Sequence, residues 1–318
     1  MSSEVPKGKF ALVLACACLL AAASASLNAQ TVVTTIPLAN TPAGIGEDPV
    51  AGRVYVAEYS QVQVIDENTN TVIRTFNLPT TFSITDAKPN PATGLIYVAA
   101  QGGGLYVVSP VTFLPVAFVN INAVAVAVNY AKNNIYVSDF NSNLYVIDGK
   151  HNRVDRTIAV NGIENVAVNP YTDRIYAAQN VFPAKVAVIN GKNNKIIAEV
   201  SGGGFLGFDV TVDQLHNKFA DSEEFGSVSL FNGATNTLTG TVQVGGAPAG
   251  VRIDPVTQRL YVADTSSNAV NVIDTTTRTI VGSVLVGSNP EYMDINQLTG
   301  MLYVGDTGSN SLTVVKTR

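Results

Sequence analysis

From residue 31 onward the chain is written in short alternating runs of apolar and polar residues, as in "TVVTTIPLA" (31–39), "RVYVAE" (53–58) and "QVQVID" (61–66). A period of two over four to eight residues predicts half-buried β-strands. The runs are rich in Val, Ile and Tyr, and stretches of Asn, Thr, Gly and Asp separate them, which is strand and turn chemistry. No 3.6-residue apolar periodicity occurs after residue 29, so an all-β fold is expected.

The runs repeat. "RVYVAE" (53–58), "LIYVAA" (95–100), "NIYVSD" (134–139), "RIYAAQ" (174–179), "NKFADS" (217–222), "RLYVAD" (259–264) and "MLYVGD" (301–306) are one motif. Its aromatic falls at Tyr55, Tyr97, Tyr136, Tyr176, Phe219, Tyr261 and Tyr303, at intervals of 42, 39, 40, 43, 42 and 42 residues. A short apolar run precedes each aromatic strand, as in "NVAVNP" (165–170) and "GVRIDP" (250–255), and a third strand such as "NLYVID" (143–148) follows. A fourth follows an Asn- and Thr-rich turn, as in "NTVIRTFNL" (70–78) and "RTIVGSVLV" (278–286). Four short strands every forty or so residues read as propeller blades.

The seventh repeat stops after its third strand, "SLTVVK" (311–316), two residues before the end at Arg318. The run "TVVTTIPLA" matches the missing fourth strand. It is therefore expected to complete the last blade and close a ring of seven, leaving no open edge between the first and last blades. A single seven-bladed domain over residues 30–318 follows.

Residues 1–29 have another pattern. Lys7 and Lys9 precede "FALVLACACLLAAASAS", and small residues follow. This is the order of a secretory signal, and cleavage after Ala25 or Ala29 would fit. The alternative is a membrane anchor, for which the run is a little short against the typical span of about 20 residues. An extracytoplasmic protein, periplasmic, secreted or on the cell surface, is expected. Both cysteines, Cys16 and Cys18, lie in this leader, so the processed chain would have no disulfide, thiolate metal site or cysteine nucleophile.

Composition narrows the function classes. The 318 residues are 46% hydrophobic with net charge −5. Taking Lys7, Lys9 and Glu4 from 19 basic and 24 acidic residues leaves 17 and 23, net −6. An acidic chain without a basic run lacks the footprint of a nucleic-acid binder.

The repeats resemble the YVTN family of β-propellers, through "IYVSD", "LYVAD" and the "VAVNP…RIY…VIN" cadence of 166–190. The resemblance covers the whole chain after the leader. It implies the propeller fold and leaves activity open, because similar repeats occur in surface-layer proteins, YncE-like periplasmic proteins, haem d1-type propellers and lyases.

In such a ring the innermost strands line a central channel, where solvated charges are at home. Aligned on the aromatic, Lys88, Arg252 and Asp294 share one position, and Asp86 and Tyr292 another. Asp209 replaces an apolar residue in blade five, and Glu164 and Glu291 stand at the mouths of their strands. These eight are the candidate ligand-binding residues; a structural Arg252–Asp294 salt bridge is the competing reading. Glu58, Asp264 and Asp306 follow the aromatic strand in blades one, six and seven, which are ring neighbours. As an acidic arc they are a candidate Ca²⁺ site, set against simple capping of tight turns. No other cofactor is expected.

The two histidines, His151 and His216, fall on the face opposite the channel mouth, which disfavours a histidine-dependent lyase and axial haem ligation. No C-x-x-C-H, G-x-S-x-G, H-E-x-x-H or Walker motif is present. The expected function is a non-catalytic, monomeric scaffold binding a protein or small ligand at the channel mouth. The alternatives are a lyase or hydrolase using funnel carboxylates and a haem d1-type or redox-partner propeller.

Overall fold

The computed structural model describes residues 30–318; the leader, with the expected signal and both cysteines, lies outside the described residues. Blade one is built of an innermost strand Pro42–Asp48, an aromatic strand Arg53–Glu58, a third strand Gln61–Asp66 and an outermost strand Thr71–Phe76. Blades two to six repeat this order over 84–119, 126–159, 163–201, 207–243 and 248–285, each an antiparallel four-stranded sheet. Blade seven takes three strands from 290–316 and its outermost strand, Thr31–Pro37, from the start of the described chain. Each innermost strand packs beside the next, and that of blade seven beside that of blade one, so the ring is closed.

The sequence specifies the turns twice per blade. Asp48, Asn90, Asn169, Asp213, Asp254 and Asn296 end innermost strands, and their side-chain oxygens accept backbone N–H groups two or three residues on. Asp66, Asp148, Asn190, Asn232 and Asp274 do the same after third strands. These are Asx turns. The residue that closes each turn is left-handed, which explains the recurring Asn and Gly: Gly52, Asn133, Asn217 and Gly300 in the first set, Asn70, Asn152, Asn194 and Asn236 in the second.

The aromatic of every repeat is fully buried. The core is divided into seven clusters, one at each junction between blades, rather than one central core. At the closing junction, Ile36, Leu38, Tyr303, Leu312 and Val314 of blade seven pack against Ile45, Val54, Val56 and Ile65 of blade one.

The N-terminal strand pairs antiparallel with Ser311–Lys316, from Thr31 opposite Lys316 to Pro37 opposite Ser311. Its burial is uneven. Ile36 and Leu38 are buried, whereas Val32 and Val33 are exposed. Val33 is the extra residue of a β-bulge, since Val32 faces Val315 and Thr34 faces Val314. The other six outermost strands bulge at the corresponding place, with Ile73, Val116, Asp155, Ile197, Thr239 and Val281 as the extra residues. The first strand thus carries the same irregularity as its six counterparts, as expected of the missing repeat strand.

Candidate ligand site at the channel

The innermost strands enclose a central cavity of about 460 Å³ that all seven blades line. Its wall is divided. At the depth of the ion pairs blades three and four contribute Ala125, Ala127, Val166 and Ala167, while blades two, five, six and seven contribute charge.

Lys88, Arg252 and Asp294 stand opposite Tyr97, Tyr261 and Tyr303, at one level of the channel. They join Asp86 and Asp209 in one chain of ion pairs. Lys88 Nζ lies 3.7 Å from Asp86 Oδ1 and 3.6 Å from Asp294 Oδ2. Arg252 Nε lies 3.5 Å from Asp294 Oδ1, and its Nη1 2.8 Å from Asp209 Oδ2. Lys88 also donates to the Ile45 carbonyl. The expected Arg252–Asp294 bridge is therefore present inside a larger network.

Each aspartate also ties its blade to the next. Asp86 Oδ2 accepts from Val126 N (2.9 Å), Asp209 Oδ2 from Val251 N (3.0 Å) and Asp294 Oδ2 from Glu47 N (3.1 Å). Burial raises the Asp86 pKa, against the pull of Lys88. Burial works against the Arg252 charge, but Asp209 and Asp294 more than reverse this, so its pKa rises. Both cations are thus neutralised and every aspartate is held by backbone donors, a structural arrangement joining blades two, five, six and seven to their neighbours.

The mouth differs. Glu164, Glu291 and Tyr292 line the cavity together with Tyr59 and Phe140. Burial raises the Glu164 carboxyl, its bond with Asn180 lowers it, and neighbouring Glu224 raises it further. Burial, then Glu291, raises the Tyr292 phenol. No ion pair engages Glu164 or Glu291 among the described residues.

Glu58, Asp264 and Asp306 are not gathered into one cation-binding group. Among the described residues no cluster of three or more His, Cys, Asp or Glu is arranged to hold a metal ion. Each carboxylate is buried and used within its own turn region. Glu58 accepts from Gln61 Nε2 (2.6 Å), Asp264 from Ser267 Oγ (2.7 Å) and Ala247 N (3.2 Å), and Asp306 from Thr313 Oγ1 (2.6 Å) and Ser311 Oγ (3.1 Å). Burial pushes Asp306 up to about 6 against those hydroxyls. These bonds are those of turn capping, the reading set against the cation site. Both histidines are bonded to aspartates in their own turns, His151 to Asp148 and His216 to Asp213.

The structure also brings together acids that the sequence reading passed over. Glu47 occupies the register position filled by Pro89, Val128, Val168, Ile253 and Ile295 in other blades. It meets Glu67, whose Oε2 accepts from Asn296 Nδ2 at 2.8 Å. Burial first, then Asp294 and Glu67, raises the Glu47 carboxyl, and burial also raises Glu67. In blade five, Asp221 stands where other blades have Val56, Val98 or Val262, fully buried, with neither carboxylate oxygen hydrogen-bonded. Burial, then Glu223 and Asp209, raises its pKa. The triglycine 202–204 folds over Glu223. A Cβ on Gly202 would fall 1.7 Å from Glu223 Oε1, and one on Gly204 2.4 Å from Oε2. A charged residue at an otherwise apolar or small register position was the available signal for both Glu47 and Asp221.

These raised values carry a sign. A carboxyl that stays protonated in the fold but ionises in the unfolded chain makes stability fall as pH rises above the unfolded pKa. Glu47→Gln and Asp221→Asn are therefore each expected to raise Tm at pH 7, with a gain that grows as pH rises above the unfolded carboxyl's pKa of about 4. A lower Tm at pH 8 in both variants would mean that the ionised carboxylates are needed for folding.

Comparison with known proteins supports the fold. No family model matches the chain, and no curated protein matches it. Among solved structures, hydrazine synthase of Kuenenia stuttgartiensis has a similar fold, with TM-score 0.79 over 87% of this chain and 96% of that chain. Its sequence identity of 14% makes this a likeness of fold alone. The chain is thus a seven-bladed β-propeller with a charge-lined channel, and its YVTN resemblance rests on the repeat motifs.

Proposed function

We propose that this chain is an exported, non-catalytic binding scaffold that takes its ligand at the channel mouth. The observation that carries this reading is the division of labour among the channel charges. Lys88 and Arg252 are neutralised within the ion-pair chain, and its aspartates accept backbone bonds from neighbouring blades. That leaves the mouth, with Tyr59, Phe140, Tyr292 and two carboxylates free of ion pairs, as the surface with unspent chemistry. A concave site with aromatic walls and a few polar groups is the usual form of a ligand pocket. Export is supported by the leader pattern and by the absence of cysteine from residues 30–318.

A thermal-shift screen of the protein starting at Gln30, against peptides and small molecules with and without metal ions, tests the reading. A true ligand raises Tm by mass action. The rise is expected to disappear in a Tyr59→Ala/Phe140→Ala variant that keeps its unliganded Tm. A rise that survives this variant would place the site elsewhere, and turnover of a hit would replace the scaffold by an enzyme.

A further inference from the structure

The mouth lies at the centre of a face whose exposed groups are unevenly distributed. The turns between aromatic and third strands carry Tyr59 in blade one, Phe140 in blade three, Phe182 in blade four and Phe225 in blade five. The connections entering blades two and five add Phe82 and Phe205. All six rings are exposed, from 48% for Tyr59 to 73% for Phe225. Phe182, Phe205 and Phe225 form a run, with ring centroids 5.1 and 5.2 Å apart. Phe82 lies over the glycine turn of blade two, where Cβ atoms on Gly102 and Gly103 would fall about 3 Å from it. In blades six and seven the equivalent turns read "TSSN" (265–268) and "TGSN" (307–310). The aromatic arc therefore spans blades one to five only. Exposed rings in contact, as Phe182, Phe205 and Phe225 are, mark an interaction surface more often than single exposed apolar residues do.

Charge identifies the partner. The turns of this face bear Glu164, Glu224 and Glu291 around the mouth, whereas Lys185, the basic residue nearby, is held by Glu199 at 3.5 Å. The turns of the opposite face mix both signs, with Arg53, Lys150 and Arg278 standing among Asp48, Asp66, Asp148 and Asp274. Exposed rings and carboxylates free of ion pairs thus occur together on the mouth face. Aromatic faces and carboxylates together favour cations, through ring quadrupoles and ion pairing.

We infer that this face docks a protein segment in which Arg or Lys alternates with apolar side chains, successive basic groups meeting Glu164 and Glu291 at the mouth while the apolar ones cover the arc from Phe82 to Phe225. The inference rests on the channel-mouth reading and adds the chemistry of the partner. An extended segment suits it because the two carboxylates belong to blades four and seven, on opposite sides of the ring, and one side chain cannot serve both.

Fluorescence anisotropy with two labelled synthetic peptides tests this. Both alternate Phe and Leu with charged residues, Arg in one and Glu in the other. The Arg peptide should bind and the Glu peptide should not, and binding should weaken as salt rises, as expected of charge pairing at a surface. Glu164→Gln/Glu291→Gln and Phe182→Ala/Phe225→Ala should each weaken binding about tenfold, a loss of about 1.4 kcal/mol, with unchanged Tm. Equal binding of the two peptides, no binding of the Arg peptide, or indifference to both double variants would overturn the inference. Arginine amide binding as tightly as the peptide would also overturn it, by showing that a small cation suffices. A thermal-shift hit lost in Tyr59→Ala/Phe140→Ala but kept in Glu164→Gln/Glu291→Gln would overturn the basic segment while leaving the mouth as the binding site.

Discussion

Deletion of Thr31–Asn40 is expected to yield a protein that is strongly destabilised and aggregates, although the segment lies at the start of the described chain. Frayed termini can usually be trimmed without consequence. This one is paired along its length with Ser311–Lys316, and its continuation is fastened to two blades. Leu38 N donates to Asn310 O (2.9 Å), Thr41 Oγ1 to Asn310 Oδ1 (2.8 Å), and Asn40 Nδ2 to Glu58 Oε2 (3.4 Å). Ile36 and Leu38 each bring about 1.5–3 kcal/mol of apolar burial, and every ladder bond adds about 0.5–1.5 kcal/mol net. A few such bonds with those two side chains approach the roughly 5–15 kcal/mol by which whole domains are stable. Val32 and Val33, being exposed, add little of this. The deletion also bares Leu312 and Val314, which are fully buried, along an unpaired strand open to other chains. Size-exclusion chromatography and thermal denaturation of the truncated protein give the answer. A soluble monomer with an unchanged Tm would show that the ring does not depend on its closing strand.

The second large effect is expected from Arg252→Met. Removing one partner of a buried ion pair costs about 3–5 kcal/mol, because the other charge is stranded. Here the Arg252 and Asp294 side chains keep 18% and 23% exposure, so about 2–3 kcal/mol is the expected loss at pH 7 after solvent screening. Adding Asp294→Asn to Arg252→Met should recover part of it, because the stranded charge is then removed. Urea denaturation of the single and double variants at pH 7 measures this. Unchanged stability of Arg252→Met at pH 7 would mean that the channel charges are independently solvated, and the network would lose its role in joining the blades.

The blades were legible in the sequence because each is specified locally and repeatedly. One aromatic strand, two Asx turns and two alternating strands recur every forty or so residues, so even the displaced strand 31–37 could be matched by its pattern. Blade five departs from the rest: Phe219 stands at the register of Leu260, one place before that of the tyrosines, which Ala220 fills. The channel charges were legible as positions, because Lys88, Arg252 and Asp294 share a register. The Arg252–Asp294 pairing was legible too, but the backbone partners were not. Asp209 and Asp294 are engaged by backbone N–H groups of the next blade, Val251 and Glu47, which no side-chain pattern reports. Equivalent positions in a ring are neighbours in angle, which does not by itself bring their side chains together. Glu58, Asp264 and Asp306 find donors in their own turn regions before they can find each other. The aromatic arc escaped notice because Phe182 and Phe225 come from one class of loop and Phe205 from another, and they meet only in the closed ring.

The bulged outer strands bear on how many copies of this molecule can share a confined space. A closed ring removes the edge between first and last blades but leaves seven others around its circumference, each ending in a strand with free donors and acceptors. Regular strands of that kind would let neighbouring copies zip together sideways into sheets without limit. The extra residue in the middle of every outermost strand breaks the row of bonding groups and twists it. A second chain approaching in register would meet its bonding groups on only one side of the break at a time. Val33, Ile73, Val116, Ile197 and Val281 stand at these breaks, so apolar residues that would be a liability on a flat edge sit where lateral growth is already interrupted. Copies crowded side by side around the girdle would therefore meet edges whose rows of bonding groups are already broken.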